Sequence, residues 1–308
     1  MDATSINRVV IFSEFGGPEV LHLEQQPLAE PGPGEVRVRM AFAGLNPVDY
    51  KIRRGGPQYG TQLPSTLGRE LSGVVESTGA EVERLAVGDP VFGSIPVGAF
   101  ADAVIVPEAN MAFVPDDLPM DVAGALALAG QTAWDALASQ GIRRGDTIVV
   151  SAAAGGVGGI LAQLAVHAGA RVIGSASRGN HAWLRSRGVE PVEYGPGFAD
   201  AVRALVDSVP TAAFDLHGLD SVEAFLGLGI PAERINSNAM GAAVPAGVQR
   251  VGRGAPNVDT LGTLAAMVVD GAVEVPIAGR YRLEHVGDAF ELLEGQHLRG
   301  KVVVSGND

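Results

Sequence analysis

One segment constrains this chain more than any other. A short β-branched run at 147–150 leads into Ser151-Ala152-Ala153-Ala154-Gly155-Gly156-Val157-Gly158-Gly159, and an apolar run with helical spacing follows to 168. A strand feeding a helix through a glycine-rich turn presents free backbone N–H groups at the positive end of the helix dipole, with no Cβ in the way. A pyrophosphate needs that arrangement. The segment therefore predicts a dinucleotide-binding βαβ unit, with Ala154, Gly155, Gly156, Val157 and Gly158 in the cradle. Gly155 and Gly158 fall at the second and third glycine positions of the fingerprint, whereas Ala153 replaces the first. The plain alternative is a glycine-rich connection without a ligand.

The end of the next strand selects the dinucleotide. An acidic residue there would hold a ribose 2′-hydroxyl. This chain instead reads Gly174-Ser175-Ala176-Ser177-Arg178. Hydroxyls and a guanidinium suit a 2′-phosphate, which a carboxylate would repel. The expectation is NADPH, with Ser175, Ser177 and Arg178 at the 2′-phosphate. A solvated first-turn residue is the plain alternative for Arg178.

The segments on either side of this unit differ in texture. Before residue 119 the chain reads as short strands, at 8–13, 35–42, 73–77 and 101–106, punctuated by turns such as Pro31-Gly32-Pro33-Gly34. That pattern predicts a barrel-like domain. Beyond it, an Ala/Leu-rich helix spans 122–140. Strands at 147–152, 171–176, 191–194, 212–217 and 234–239 then alternate with helices at 157–168, 180–187, 198–208 and 221–228. Such a rhythm predicts a doubly wound parallel sheet, so the fold class is α/β. The tail adds a helix after 258, a strand at 276–282, a helix at 286–293 and a strand at 300–305. It either extends the sheet or returns to the first domain.

Charge and composition exclude several functions. The formal net charge of −13 argues against a nucleic-acid partner, which needs a basic face. The absence of cysteine excludes thiolate nucleophiles and cysteine-ligated zinc. The uncharged stretch 147–170 is long enough for a membrane span, but its glycines and its strand-then-helix halves argue for a buried βα unit. With no signal-peptide pattern at the start, the cytoplasm is the expected compartment. Of the 22 basic residues only Lys51 and Lys301 are lysines, which singles them out.

Several further segments carry a resemblance. Gly16-Gly17-Pro18-Glu19-Val20-Leu21, Asn46-Pro47-Val48-Asp49-Tyr50-Lys51, Gly88-Asp89-x-Val91-Phe92-Gly93, Ala152–Gly158 and Arg299-Gly300-Lys301-Val302-Val303 occur in one order across nearly the whole chain. In this the chain resembles the zinc-independent quinone oxidoreductases of the medium-chain dehydrogenase/reductase superfamily. The resemblance implies a GroES-like catalytic domain from 1–118 and 256–308 around a Rossmann domain at 119–255, and usually a homodimer. It also implies an interdomain cleft and hydride transfer from NADPH to a small carbonyl substrate. Zinc-dependent relatives use a Cys and a His–Glu pair; here Asn46 stands at the Cys position and Arg69 of Gly68-Arg69-Glu70 at the His position. No metal is expected.

By the same resemblance, Asn46 and Asp49 face the nicotinamide and substrate, and Tyr50, Lys51 and Tyr59 shape the pocket. Taken alone, Asn46-Pro47-x-Asp49 also reads as a helix start. Thr132 of Gly130-Gln131-Thr132 lies near the nicotinamide, and Lys301 returns toward the cofactor. Gln131 replaces a residue usually apolar in relatives, which points to a polar substrate group or a water nearby. Asn236 and Ser237, ending the fifth strand, are expected at the carboxamide. The loop 240–256, with Arg250 and Arg253, reads as a lid or second phosphate clamp, and His217 as a capping-turn residue. The acceptor is expected to be a quinone or an α,β-unsaturated carbonyl compound. The alternatives are an enone reductase of a specialised pathway and a non-redox NADPH-binding protein.

Overall fold

A computed structural model describes residues 6–239, 244–252, 256–295 and 298–306. The first half contains β1 (Ile6–Phe12), β2 (His22–Pro27), β3 (Glu35–Gly44), α1 (Pro47–Arg53), β4 (Ser65–Thr66), β5 (Glu70–Thr78), β6 (Pro90–Ser94), β7 (Ala103–Pro107) and β8 (Met111–Phe113). β2, β1 and β4 pair antiparallel in one small sheet. β3 is the spine of a larger sheet, pairing with both β5 and β7. Its alternation buries Val36, Val38 and Met40, which meet Leu71, Val75 and Val104 in one apolar core. Among the described residues these sheets wrap around that core without closing into a barrel.

The second half opens with α2 (Met120–Ala123) and α3 (Ala127–Ser139). β9 (Thr147–Val150), α4 (Gly156–His167), β10 (Arg171–Ser175), α5 (His181–Ser186), β11 (Val189–Val192), α6 (Phe198–Arg203), β12 (Ala212–Asp215), α7 (Leu219–Gly227) and β13 (Ile235–Ser237) then alternate. The strands form a parallel sheet in the order β11-β10-β9-β12-β13. Helices cover both faces, which explains the continuous apolar run at 148–150. Ile148 and Val150 face the core under α3 and α4, whereas Val149 faces Phe198 and Phe225 on the other side. Each such fully buried aliphatic side chain contributes about 1.5–3 kcal/mol. The uncharged stretch 147–170 is thus a buried strand and helix. No helix among the described residues is long and apolar enough to cross a membrane.

The tail belongs to both halves. α8 (Val258–Val269) places Leu261, Leu264 and Ala265 in the core beneath α3 and α4. Beyond it the chain runs through β14 (Ile277–Arg282), α9 (Val286–Glu294) and β15 (Lys301–Ser305), with both strands in the larger β-rich sheet. α8 carries its own apolar face and packs against both α3 and β8. β15 pairs parallel with β14 and antiparallel with β3. Just before it, Gly300 N donates to Ala154 O at 2.9 Å, fastening the tail to the glycine turn. Only glycine fits there: φ is +78°, and a Cβ would lie 1.9 Å from Pro276 O. That contact delivers Lys301 to the seam between the halves. Within the loop 240–256, residues 240–243 and 253–255, Arg253 among them, lie outside the described residues.

Candidate active site

A cleft of about 1010 Å³ runs along this seam. One wall comes from the β-rich half, including Asn46, Tyr50, Tyr59 and Ile95, and the other from the parallel half, including Gly155, Ser177 and Leu216.

The parallel wall is built mainly from backbone. Gly155 is the extended N-cap of α4, with φ −77° and ψ 179°, and Gly156 and Val157 begin the helix. A Cβ on Gly155 would have only Ala152 O within reach, at 3.2 Å, so the position opens into the cleft. Gly158 is required for packing, because its Cβ would sit 2.2 Å from Ala152 O. Ala153, at the first glycine position, fits because Gly174 stands opposite: a Cβ there would lie 2.6 Å from Ala153 Cβ. Missing Cβ atoms, free helix-end N–H groups and an adjoining long cleft fit a dinucleotide pyrophosphate.

Farther along, Ser175, Ser177, Asn180 and Tyr194 line the cleft. Asn180 Nδ2 donates to Ser177 Oγ at 3.2 Å, and Ser175 Oγ accepts from Ala152 N at 3.3 Å. Arg178 does not line it. Its guanidinium is largely exposed and pairs with Glu193 at 2.8 Å. The strand ends deliver Ser175 and Ser177 inward, while the turn at Arg178 points its long side chain outward.

Side chains build the floor beneath the β-rich wall. Lys301 is buried, and its Nζ donates to Asn46 Oδ1 and Glu70 Oε1, both at 2.6 Å, and to Leu45 O at 2.9 Å. Asn46 Nδ2 donates to the same Glu70 oxygen at 2.8 Å and to Gly44 O at 3.3 Å. Glu70 Oε2 accepts from Leu128 N at 2.7 Å, which ties the floor to the start of α3. The Lys301 stem runs under Gly156, where a Cβ would meet Lys301 Cδ at 2.6 Å. One carboxylate therefore joins α1, α3, β5 and β15 at the seam. Glu70 was not singled out from sequence; its partners lie 24, 58 and 231 residues away.

Five of the residues expected at the site either turn from the cleft or have their polar atoms already engaged. Asn46 lines the cleft, but its amide is consumed by Lys301, Glu70 and Gly44 and holds no free donor for a substrate. Asp49 is fully buried and does not line the cleft. Its oxygens accept from Asn46 N at 2.8 Å and Gly68 N at 3.3 Å, so it caps α1. Burial pushes its carboxyl up to about 6, against the pull of those N–H groups and of nearby Arg69 and Lys301. Gln131 turns from the cleft, donating to Asp135 at 2.8 Å and accepting from Asn257 N at 3.3 Å. Asn236 and Ser237 are buried behind the wall, bonded to Ser139 Oγ and Asp215 Oδ2. A helical position one residue from Thr132, or a central strand end, does not fix which way a side chain faces.

Tyr50, Lys51, Tyr59 and Thr132 do line the cleft. Burial raises the Tyr50 phenol and lowers the Lys51 ammonium, the latter partly offset by Asp215. The Tyr59 hydroxyl is buried without a hydrogen-bond partner. Thr132 Oγ1 lies 2.7 Å from Leu128 O. His217 also faces the cleft, while its backbone N–H caps Asp215 at 3.0 Å. Among the described residues no three His, Cys, Asp or Glu side chains converge as metal ligands.

Comparison with known proteins places this geometry among relatives. Residues 32–116 match the alcohol dehydrogenase GroES-like domain, and 194–304 match the zinc-binding dehydrogenase family. A quinone oxidoreductase of Pseudomonas aeruginosa is 39% identical over 222 residues, covering 70% of this chain and 68% of its own. The chloroplastic NADPH-dependent alkenal/one oxidoreductase of Arabidopsis thaliana is 30% identical over 313 residues, covering 96% of this chain and 78% of its own. Among solved structures, a mycobacterial protein complexed with NADPH aligns with a TM-score of 0.86 at 30% identity, covering 97% of this chain and 99% of its own.

Proposed function

This chain belongs to the quinone oxidoreductase group of the medium-chain dehydrogenase/reductase superfamily, and from that premise we propose that it is an NADPH-dependent, metal-free reductase of quinones or α,β-unsaturated carbonyl compounds. The observation that carries the reading is a glycine-built helix N-terminus opening into the same cleft as a wall of buried polar side chains. The NADPH-bound relative supports the choice of cofactor.

Gly155, Gly156, Val157 and Gly158 would hold the pyrophosphate through backbone N–H groups, with Ala154 behind them. Ser175, Ser177 and Asn180 would hold the adenosine ribose and its phosphate. Arg178 is within sequence reach of the same phosphate once it leaves Glu193, an exposed pair worth about 0–1 kcal/mol. Thr132 and the Lys301 stem would flank the nicotinamide end. When bound, this cofactor supplies a hydride. The chain's own contribution is placement and charge. The Asn46–Glu70–Lys301 floor fixes the β-rich wall against the glycine turn, so the acceptor is held at a defined distance. Tyr59 offers its unpartnered hydroxyl to the acceptor oxygen, and Lys51 and Tyr50 line the approach. The Asn46 amide serves as a strut.

Oxidation of NADPH and of NADH, followed optically against simple quinones, linear enals and cyclic enones, tests the proposal. Turnover with NADPH and one acceptor class is expected. A saturated C–C product would select the enone reading and a hydroquinone the quinone reading. NADPH binding without turnover on any acceptor would overturn both.

A further inference from the structure

The floor consumes its own donors and acceptors. Among the described residues, two buried polar atoms on cleft-lining side chains have no hydrogen-bond partner, the Tyr59 hydroxyl and Arg69 Nε. Arg69, which stands where zinc-dependent relatives carry a histidine, has no part in the proposed function. It precedes Glu70 at the start of β5, its carbonyl accepts from Ile95 N at 2.9 Å, and its side chain lines the cleft beside Ser94 and Ile95.

The other cleft-lining cations are engaged. Lys301 has three acceptors, Arg54 pairs with Glu294 and lies over the Tyr50 ring, and Lys51 faces the charge of Asp215. Among the described residues the Arg69 side chain makes no hydrogen bond or ion pair. Its charge reaches Asp49 through space, but both Asp49 oxygens already accept backbone N–H groups. A guanidinium stays charged at any working pH, and a buried N–H without an acceptor is unfavourable until an occupant supplies one.

We infer that Arg69 binds an anionic group on the acceptor, so that the preferred substrate is an activated alkene or enone carrying a carboxylate. The inference rests on the reductase reading and narrows its substrate class. Three observations favour a substrate carboxylate. The cofactor's phosphates are served by the opposite wall, from Gly155 to Ser177. A neutral carbonyl presents the guanidinium fork with a single uncharged oxygen, whereas a carboxylate presents two charged oxygens at the matching spacing. Finally, the cleft is lined by Lys51, Arg54, Arg69 and Lys301 against the single acid Glu294, inside a chain of net charge −13. Lys51, Arg54 and Lys301 face Asp215, Glu294 and Glu70, so Arg69 is the lining cation whose side chain has no hydrogen-bonded acid among the described residues.

The test compares 4-oxopent-2-enoate with its methyl ester as NADPH-dependent acceptors, in the wild type, Arg69→Gln and Arg69→Lys. The acid is expected to exceed the ester in kcat/KM by about tenfold or more, the range of one charge-assisted bidentate contact. Arg69→Gln should erase that preference mainly through KM, leaving ester turnover within about twofold, and Arg69→Lys should restore part of it. Equal rates in the wild type, or equal losses on both acceptors in Arg69→Gln, would overturn the inference while leaving the reductase reading intact. If no acceptor at all is reduced, the reductase reading fails, and calorimetry with the saturated analogue 4-oxopentanoate on the NADP⁺-saturated protein decides the inference. Binding abolished by Arg69→Gln supports it; no binding to the wild type overturns it.

Discussion

The two walls of the cleft reach a polar interior by opposite means. The parallel wall uses backbone: a helix N-terminus, three glycines and an alanine matched to Gly174. The β-rich wall uses side chains drawn from α1, β5 and β15, knotted through one carboxylate and one ammonium. A backbone site is local, written in nine consecutive residues, and adding atoms damages it. The side-chain site is written across most of the chain, and removing any one member damages it.

Breaking the floor gives the largest expected effect. Glu70→Leu leaves Lys301 buried without its counter-charge and should cost about 3–5 kcal/mol, with Lys301→Met similar. Glu70→Leu with Lys301→Met removes both charges and should recover much of that loss, read by urea unfolding of all three variants. A double variant as unstable as the sum of the singles would mean the residues do not act as a pair.

Tyr59→Phe sharpens the contrast from the catalytic side. Because the hydroxyl has no partner to lose, stability should hold, while kcat falls by about tenfold to a hundredfold with KM little changed. Unchanged kcat would remove Tyr59 from the chemistry.

Asp49 gives the floor a pH signature. Its folded carboxyl, at about 6, lies above its ordinary value of 3.8, so the folded state prefers the protonated form. Its contribution is fully present below 3.8 and is lost as pH rises through 6, by at most about 1.4 kcal/mol per pH unit in that window. Relative to Asp49→Asn, the wild type should therefore lose stability between pH 4 and 6.5 in denaturant titrations, and parallel curves would contradict this.

The smallest effect belongs to the parallel wall's surface. Arg178→Ala should weaken NADPH binding about fivefold by calorimetry and leave NADH within twofold, as expected for one exposed charge-assisted contact. Equal losses for both would remove Arg178 from the 2′-phosphate.

The same contrast explains what the sequence discloses. The parallel half was legible because each element carries its own signal: apolar strands, helical spacing and a turn whose glycines have a steric reason. In the β-rich half, β2 has a mostly exposed burial pattern and β8 is three residues long, so neither announces itself. Within the site, the glycine turn carries a local signal, whereas the floor does not: Asn46 and Lys301 stand out in the sequence, but their meeting on Glu70 does not. Glu70 and Arg69 gain their meaning only from partners and neighbours far away in sequence. The rarity of lysine and the tail motif at 299–303 both point at Lys301, and neither names its partner. Gln131, Asp49 and Asn236 stand in or beside family motifs yet face inward, because a motif fixes a position on the chain and packing decides the direction.

The cofactor seat is the centre of the account, and Gly155→Asp tests it most directly. The extended N-cap conformation of Gly155 accepts any residue, and Asp is a better helix N-cap than Gly by a few tenths of a kcal/mol, so the melting temperature should hold or rise. The same carboxylate would face the pyrophosphate, and NADPH binding measured by calorimetry should weaken by about a hundredfold or more. NADPH affinity within threefold of the wild type, in a protein that melts normally, would contradict the assignment of the glycine turn.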